Sequence, residues 1–478
     1  MLLSIVALAA ISLTLSLGLF PQAVLAQTPD PLEVAATAQV SADTAFMLIC
    51  AALVLLMTPG LAFFYGGFVR SLNVLNTLMM SFTMMLLVGV TWVLWGYSLA
   101  FAPGTSFIGG LEWLFLNGVG LETTDYLVGS QPEAVVSYAP TIPHEAFMMY
   151  QGMFAMITPA LISGALVERM KFRAYFLFTL LWSIFIYCPL AHMVWAKGGL
   201  MGLYGGFGAL DFAGGTVVHI SSGVSAFVAA IMLKNRRIYP NRLVAPHNVP
   251  FIMLGAGLLW FGWFGFNAGS ALASGGLATA AFVATNCGAA AAGLVWILME
   301  WSLMGKPTAV GLATGAVAGL VGITPAAGFV TPVAALLIGG ITAFCCFYAI
   351  RIKNKLGIDD ALDTFPVHGV GGTIGAILTG LFATTTVNAA GADGLFYGNP
   401  GQLFKQIAAV LIAYAIAAVG TFIIIKLLQA TVGIRSSEEV EAQGLDPFEH
   451  SEIGYGEFGI MDMASSSHSS IDKSLKDG

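Results

Sequence analysis

Charge is what this sequence most lacks. Of its 478 residues only 9% are Asp, Glu, Lys or Arg, whereas 58% are hydrophobic. Soluble domains carry about 25% charged residues, and so few charges cannot cover a water-facing surface. A water-soluble globular fold is therefore excluded. The 18 basic residues form no basic stripe, so nucleic acid is not an expected partner. Cysteine is sparse too. Cys50, Cys188, Cys287, Cys345 and Cys346 lie in or beside apolar runs, without CxxC or haem-attachment spacing. They read as small buried apolar side chains, and no metal site or cofactor is expected.

A positive charge near Met1 is also missing. Residues 1–20 are apolar and uncharged, and small residues three positions apart precede Gln27. This resembles a signal-peptidase site. The expectation is a cleaved signal peptide at 1–26, the alternative being an uncleaved extra span. Residues 27–42 then read as a short polar extracytoplasmic lead-in.

What is present in quantity is glycine, 57 residues, and long apolar runs, with a mean hydropathy of +0.86. Small residues let membrane helices approach closely. A span needs about 20 predominantly apolar residues. Candidates lie near 43–67, 77–101, 144–167, 174–196, 212–233, 249–269, 277–299, 307–324, 328–350, 364–384 and 403–430. Basic residues set orientation. With eleven spans, 16 of the 18 fall on one side, from Arg70 through Arg169, Arg236 and Lys353 to the C-terminal end. The opposite loops hold only Lys197 and Lys405. This places the C-terminus in the cytoplasm and the mature N-terminus outside. The 102–143 connection, with Glu112, Glu122, Asp125 and Glu133 and no basic residue, reads as a solvated outer loop.

Ionisable groups inside spans are costly and are functional candidates. Asp211, His219 and His368 stand out, with His192 weaker; His144 and His247 lie at loop–helix junctions. Each of the first two histidines follows a Val and has an Asp eight residues upstream: Asp211 before His219, Asp360 before His368. The segments fall in the fifth and tenth spans, as if one unit were used twice. Five spans followed by five put the second copy upside down, and inverted repeats place the site at the midplane between halves. Neutral imidazole offers one donor and one acceptor, so a histidine pair can line a path for a small polar molecule. Interhelical hydrogen bonding and bis-histidine haem ligation are the alternatives. Asp211 also reads as an N-cap, because Gly214-Gly215-Thr216 follow it. Aromatic residues near span ends, Trp195 and the Trp263–Ser270 run among them, are ordinary interfacial residues or faces for a small cation.

Residues 211–220, Trp263–Ser270 and the Asp-Asp-x-x-Asp-x-Phe-x-Val-His-Gly run at 359–369 resemble signatures of the ammonium transporter (Amt/Mep/Rh) family, Amt branch, bacterial type. The similarity covers nearly all of residues 43–455, and the tail from Gly433 to His450 is also similar. The resemblance implies an all-α polytopic membrane protein of 11 transmembrane helices, a 5+5 inverted repeat plus a final helix. It implies a membrane domain at 43–430, a cytoplasmic regulatory tail at 431–478, and location in the inner (plasma) membrane. It implies a homotrimer with one pore per subunit, and a transporter rather than an enzyme. By resemblance, His219 and His368 line the pore; Tyr150, Trp195, Ser270 and Asp211 serve the ammonium site; Phe154 and Phe266 form a gate. A PII-type signal protein is the implied cytoplasmic partner, and ammonium sensing through the tail is the alternative to transport. Two positions depart from the pattern: Tyr150 stands where Phe is common, so that its hydroxyl could add an acceptor, and Ser451 where Gly is usual.

Overall fold

The computed structural model describes residues 30–128, 131–239 and 245–455. The expected signal peptide lies outside them. Among the described residues, ten helices are long and apolar enough to cross a membrane: α1 (Pro31–Phe68), α2 (Ser71–Phe101), α3 (His144–Ala165), α4 (Phe172–Trp195), α5 (Gly215–Leu233), α6 (Val249–Ala271), α7 (Gly276–Met304), α9 (Pro332–Lys355), α10 (Phe365–Phe382) and α11 (Pro400–Thr431). Between α7 and α9 lies a shorter apolar helix, α8 (Ala309–Ile323). The chain is thus a mostly helical, polytopic membrane-type protein.

Helix α1 starts about a dozen residues earlier than the expected span. Residues 31–42 are rich in alanine, a strong helix former, and the Asp30 carboxylate accepts the Leu32 N–H at 3.0 Å, so the stretch read as a lead-in is helical. The packed unit begins at Asp43. Within it α7 packs against α8 and α9, and α11 packs against α5 and α10. Outward faces stay apolar: Leu294, Leu298 and Trp301 on α7, and Leu411, Val419 and Ile423 on α11, are exposed. Such faces suit a bilayer or a neighbouring subunit. Helix α8 is 15 residues long, about 22 Å at 1.5 Å per residue, and the irregular segment after it, 324–330, is wholly buried. Non-helical backbone at membrane depth is tolerated only where protein covers it.

The 102–143 connection is more ordered than a solvated loop. It carries a hairpin of β1 (Tyr126–Val128) and β2 (Gln131–Val135). Trp113 and Tyr126 are fully buried. The His144 ring stacks on Tyr126 at 3.4 Å, and its Nε2 lies 2.5 Å from the Tyr97 hydroxyl. Aromatic area outweighs the acidic residues that suggested solvation.

At the opposite end the basic residues of alternate connections converge on two buried carboxylates. Glu168 bonds Arg70 Nε at 3.1 Å and Arg236 at 2.8 Å; Asp359 bonds Arg236 at 2.8 Å and Arg169 at 2.9 Å. The tail ties into the same knot. Arg435 pairs with Glu441 at 2.5 Å, and Arg70 donates to the Glu441 carbonyl at 2.7 Å. Asp446 accepts the N–H groups of Leu75 and Asn76 near the start of α2. Ser451 has φ 56°, the left-handed region that glycine enters without steric cost.

Burial works to raise the pKa of Glu168 and Asp359, but Arg236, together with Arg70 and Arg169, holds both below the ordinary carboxylate range. A carboxylate with a depressed folded value contributes stability that is fully present above its unfolded value, about 4, and is lost as pH falls through the folded value. The thermal unfolding temperature in detergent should therefore stay level from neutral pH down to about 5 and drop below about 4. Asp359→Asn leaves the fully buried Arg169 without its counter-ion and should cost about 3–5 kcal/mol, read as a lower unfolding temperature at pH 7.

Candidate functional site

The two histidine segments are built alike, and each element of the likeness has a local cause. Both α5 and α10 open on a π-helical turn, Gly215–Ile220 and Phe365–Val370, a feature common at functional sites. Each turn is preceded by a residue of positive φ: Gly214 at 119° and Asp363 at 58°. Each is capped by the upstream aspartate. Asp211 accepts the N–H groups of Gly214, Gly215 and Thr216 at 2.8, 2.6 and 2.7 Å, and the Thr216 hydroxyl as well. Asp360 accepts Thr364 N–H at 3.1 Å and Phe365 N–H at 2.7 Å. The capping reading of Asp211 thus fits its geometry: its carboxylate oxygens are engaged by the start of α5.

Helices α5 and α10 cross where the histidines lie. The opening turn of each packs on the body of the other, so the two run in opposite directions. Glycine permits this. A Cβ on Gly372 would sit 2.9 Å from His219 Cβ and 3.0 Å from the Gly215 carbonyl. A Cβ on Gly223 would collide with the main chain of Gly369. Both glycines stand four residues after a histidine, one helical turn on, facing the partner helix. The repeat legible in sequence is therefore Asp-x7-His-x3-Gly, and the glycine was the overlooked part.

His219 Nδ1 and His368 Nδ1 are 3.2 Å apart, with ring centroids at 5.3 Å. One ring donates and the other accepts, so the neutral pair holds opposite tautomers. Both side chains are buried, and His219 Nε2 has no hydrogen-bond partner among the described residues. The pair lines a central cavity of about 10 Å³. That is about the space one water-sized molecule needs. Trp263 also lines it, its ring 5.5 Å from His219 and its Nε1–H bonded to the Thr324 hydroxyl at 2.9 Å. Trp263 was not singled out from the sequence; its place in the Trp263–Ser270 run is the signal that points to it.

Wider cavities lie on either side. One, of about 350 Å³, is lined by Phe154, Trp195, Asp211 and Ser270 among others. The other, of about 240 Å³, is lined by Tyr65, Glu300, Asp363 and His368 among others. Phe154 borders the first vestibule and Phe266 the central cavity, and their rings meet at 4.2 Å. The two phenyl groups thus separate these spaces. Trp195 Nε1–H donates to the Asp211 carbonyl at 3.1 Å, and its ring meets Phe154 edge-on at 5.9 Å. Ser270 Oγ donates to the Phe266 carbonyl at 2.9 Å.

Tyr150 stands behind this vestibule rather than in it. It is fully buried. Its hydroxyl lies 2.8 Å from the Phe266 carbonyl and 3.0 Å from that of Gly265, and 3.3 Å from Ser270 Oγ. The extra oxygen that distinguishes Tyr from Phe donates to the end of α6 instead of pointing at the cavity. His192 is structural: its ring nitrogens sit 3.0 and 2.8 Å from the carbonyls of Ala100 and Thr105.

The crossing yields a direct test. Gly223→Ala should push α5 and α10 apart and reduce transport per folded protein at least about tenfold, within the usual cost of overpacking a tight contact. Gly257→Ala, where a Cβ meets nothing within 4 Å, should leave transport unchanged. Uptake assays normalised to purified folded protein compare the two.

Comparison with known proteins places the chain in a family. A model of the Ammonium Transporter Family matches residues 45–455. The ammonium transporter of Bacillus subtilis (strain 168) is 53% identical over 414 residues, covering 86% of this chain and 98% of that protein. The crystal structure of Saccharomyces cerevisiae Mep2 aligns with TM-score 0.75 at 36% identity, over 83% of this chain and 90% of that one. A structure described as Sensor Amt Protein aligns with TM-score 0.75 at 29% identity, over 86% of this chain and 99% of that one. Matched along nearly all of its membrane part, the chain belongs to the ammonium transporter family, and its activity is the transport of ammonium across a membrane rather than an enzymatic reaction.

Proposed function

We propose that this transporter sorts the ion in the Trp195 vestibule and passes neutral ammonia through the histidine pair. The carrying observation is the 10 Å³ central cavity, too small for a hydrated ion. Ammonium and potassium are nearly equal in size, so width alone cannot separate them. Ammonium differs in its N–H donors and in having a proton to lose. The faces of Trp195 and Phe154 attract the cation, by about 2 kcal/mol or more when desolvated, and Ser270 Oγ accepts one N–H. A full charge near mid-bilayer costs about 3 kcal/mol, so the cation gives up its proton to water in the vestibule before passing Phe154 and Phe266. Ammonia then exchanges hydrogen bonds with His219 and His368, whose opposite tautomers supply both a donor and an acceptor.

The architecture in this proposal is eleven spans, two inverted sets of five and a final helix, with α8 as the eighth. The like capping by Asp211 and Asp360 and the opposed crossing of α5 and α10 support it. Convergence of the basic residues at one end supports a cytoplasmic tail, and hence an outer Trp195 vestibule. Tyr150 serves the site from behind, by holding the end of α6. The homotrimer, the inner-membrane location, the cleaved signal and docking of a PII-type protein at the tail follow the family resemblance. Similarity to a chain described as a sensor does not displace transport, because the Bacillus subtilis relative is nearer in sequence.

Current across proteoliposomes tests the mechanism. Ammonium should elicit uptake while potassium at equal concentration elicits none; a matching potassium current would defeat the selectivity argument. His368→Ala should lower the ammonium rate or admit potassium, and full retention of both rate and selectivity would remove the pair as the filter. A current that scales with ammonia flux shows that the released proton crosses as well.

A further inference from the structure

We infer that Gln406, on the final helix α11, is a positioning residue that sets the Trp195 vestibule from outside it. The inference rests on the transport reading above and deepens it. Gln406 lines none of the three cavities along the path. It is nevertheless 1% exposed, and every polar atom of its amide is used. Oε1 accepts the Leu210 N–H at 2.6 Å. Nε2 donates to the Leu210 carbonyl at 2.7 Å and to the Ala376 carbonyl of α10 at 3.1 Å. Gln402, one turn earlier, donates to Gln406 Oε1 at 3.2 Å and to the Gly208 carbonyl at 3.0 Å. With two donors aimed at Oε1 and two carbonyls facing Nε2, the amide has one orientation.

The segment so held has no regular structure of its own. Residues 208–214 run between α4 and α5 without a helical ladder, and buried backbone groups there need partners from elsewhere. One side chain satisfies both main-chain groups of Leu210, as a neighbouring strand would. The next residue is Asp211. Its carbonyl takes the Trp195 indole N–H, and its carboxylate caps the turn that carries His219. The bond to Ala376 ties the same amide to the helix that carries His368. A single amide therefore fixes Leu210, the residue before the one whose carbonyl takes the vestibule tryptophan's N–H, and ties it to α10. No charge or periodicity marks it in the sequence; only the fold brings 406 to 210.

A residue acting through Trp195 affects capture of the ion more than its passage. In proteoliposomes of the full-length protein, Gln406→Leu should raise the half-saturating ammonium concentration about tenfold, equivalent to about 1.4 kcal/mol. The maximal rate per folded protein should fall less than about threefold, the signature of lost binding rather than lost passage. In a Trp195→Leu background, Gln406→Leu should add no further shift, since the two act as one unit. An unchanged half-saturation with a lower maximal rate, or an additive shift in that background, overturns the inference. Hydrogen exchange separates it from the transport reading. Gln406→Leu should speed exchange in 208–214 and not in the bodies of α5 and α10; exchange that is unchanged, or raised evenly along the chain, overturns the clamp. Absence of ammonium transport by the unmodified protein would defeat the transport reading, while the exchange experiment would still decide the clamp.

Discussion

The structure turns on the 3.2 Å contact between His219 Nδ1 and His368 Nδ1. Two imidazoles held edge to edge in an apolar interior must satisfy each other, because nothing else among the described residues reaches those nitrogens. That requirement governs the surrounding architecture. The rings come from helices running in opposite directions, so each helix must reach the centre with its first turn. A first turn has unpaired N–H groups, and in a membrane interior these cannot be left to water. Asp211 and Asp360 supply the acceptors. The backbones must also approach closely enough for the rings to touch, and Gly223 and Gly372 remove the side chains that would prevent it.

The same logic explains why polar side chains here bond mostly to main chain. Gln406 and Trp195 bond the main chain of the irregular segment at Leu210 and Asp211, and Tyr150 and Ser270 bond a carbonyl near the end of α6. Charge is handled separately, at one end, where Glu168 and Asp359 share Arg70, Arg169 and Arg236. The tail joins that network through Glu441 and Arg435 and reaches α2 through Asp446. The ion pairs thus gather at one end, while at the histidines the carboxylates of Asp211 and Asp360 bond to main-chain N–H groups.

Much of this was legible beforehand, and the reasons differ by feature. Long apolar runs mark spans because length in a bilayer is set by thickness. Asp211, His219 and His368 stood out because ionisable groups in such runs are costly. Other features were misread for equally physical reasons. The acidic 102–143 connection looked solvated, but Trp113 and Tyr126 within it are fully buried. Residues 31–42 looked like a polar approach, but alanine-rich sequence capped by Asp30 is helical. The Tyr150 hydroxyl looked available, yet the nearest acceptors are carbonyls of α6.

By itself, the sequence determined that the chain is a membrane protein, roughly where its long apolar helices lie, that two Asp-x7-His segments recur, and which family they resemble. These follow from composition, period and local spacing, which act over a few turns of chain. Only the tertiary structure decided that the segments cross in opposite directions, that Gly223 and Gly372 sit at the crossing, that Trp263 joins the histidines, and that Gln406 holds Leu210 from 196 residues away. Those outcomes depend on which helices become neighbours. Neighbours are chosen by packing across the whole bundle, and no local pattern in the chain records the choice.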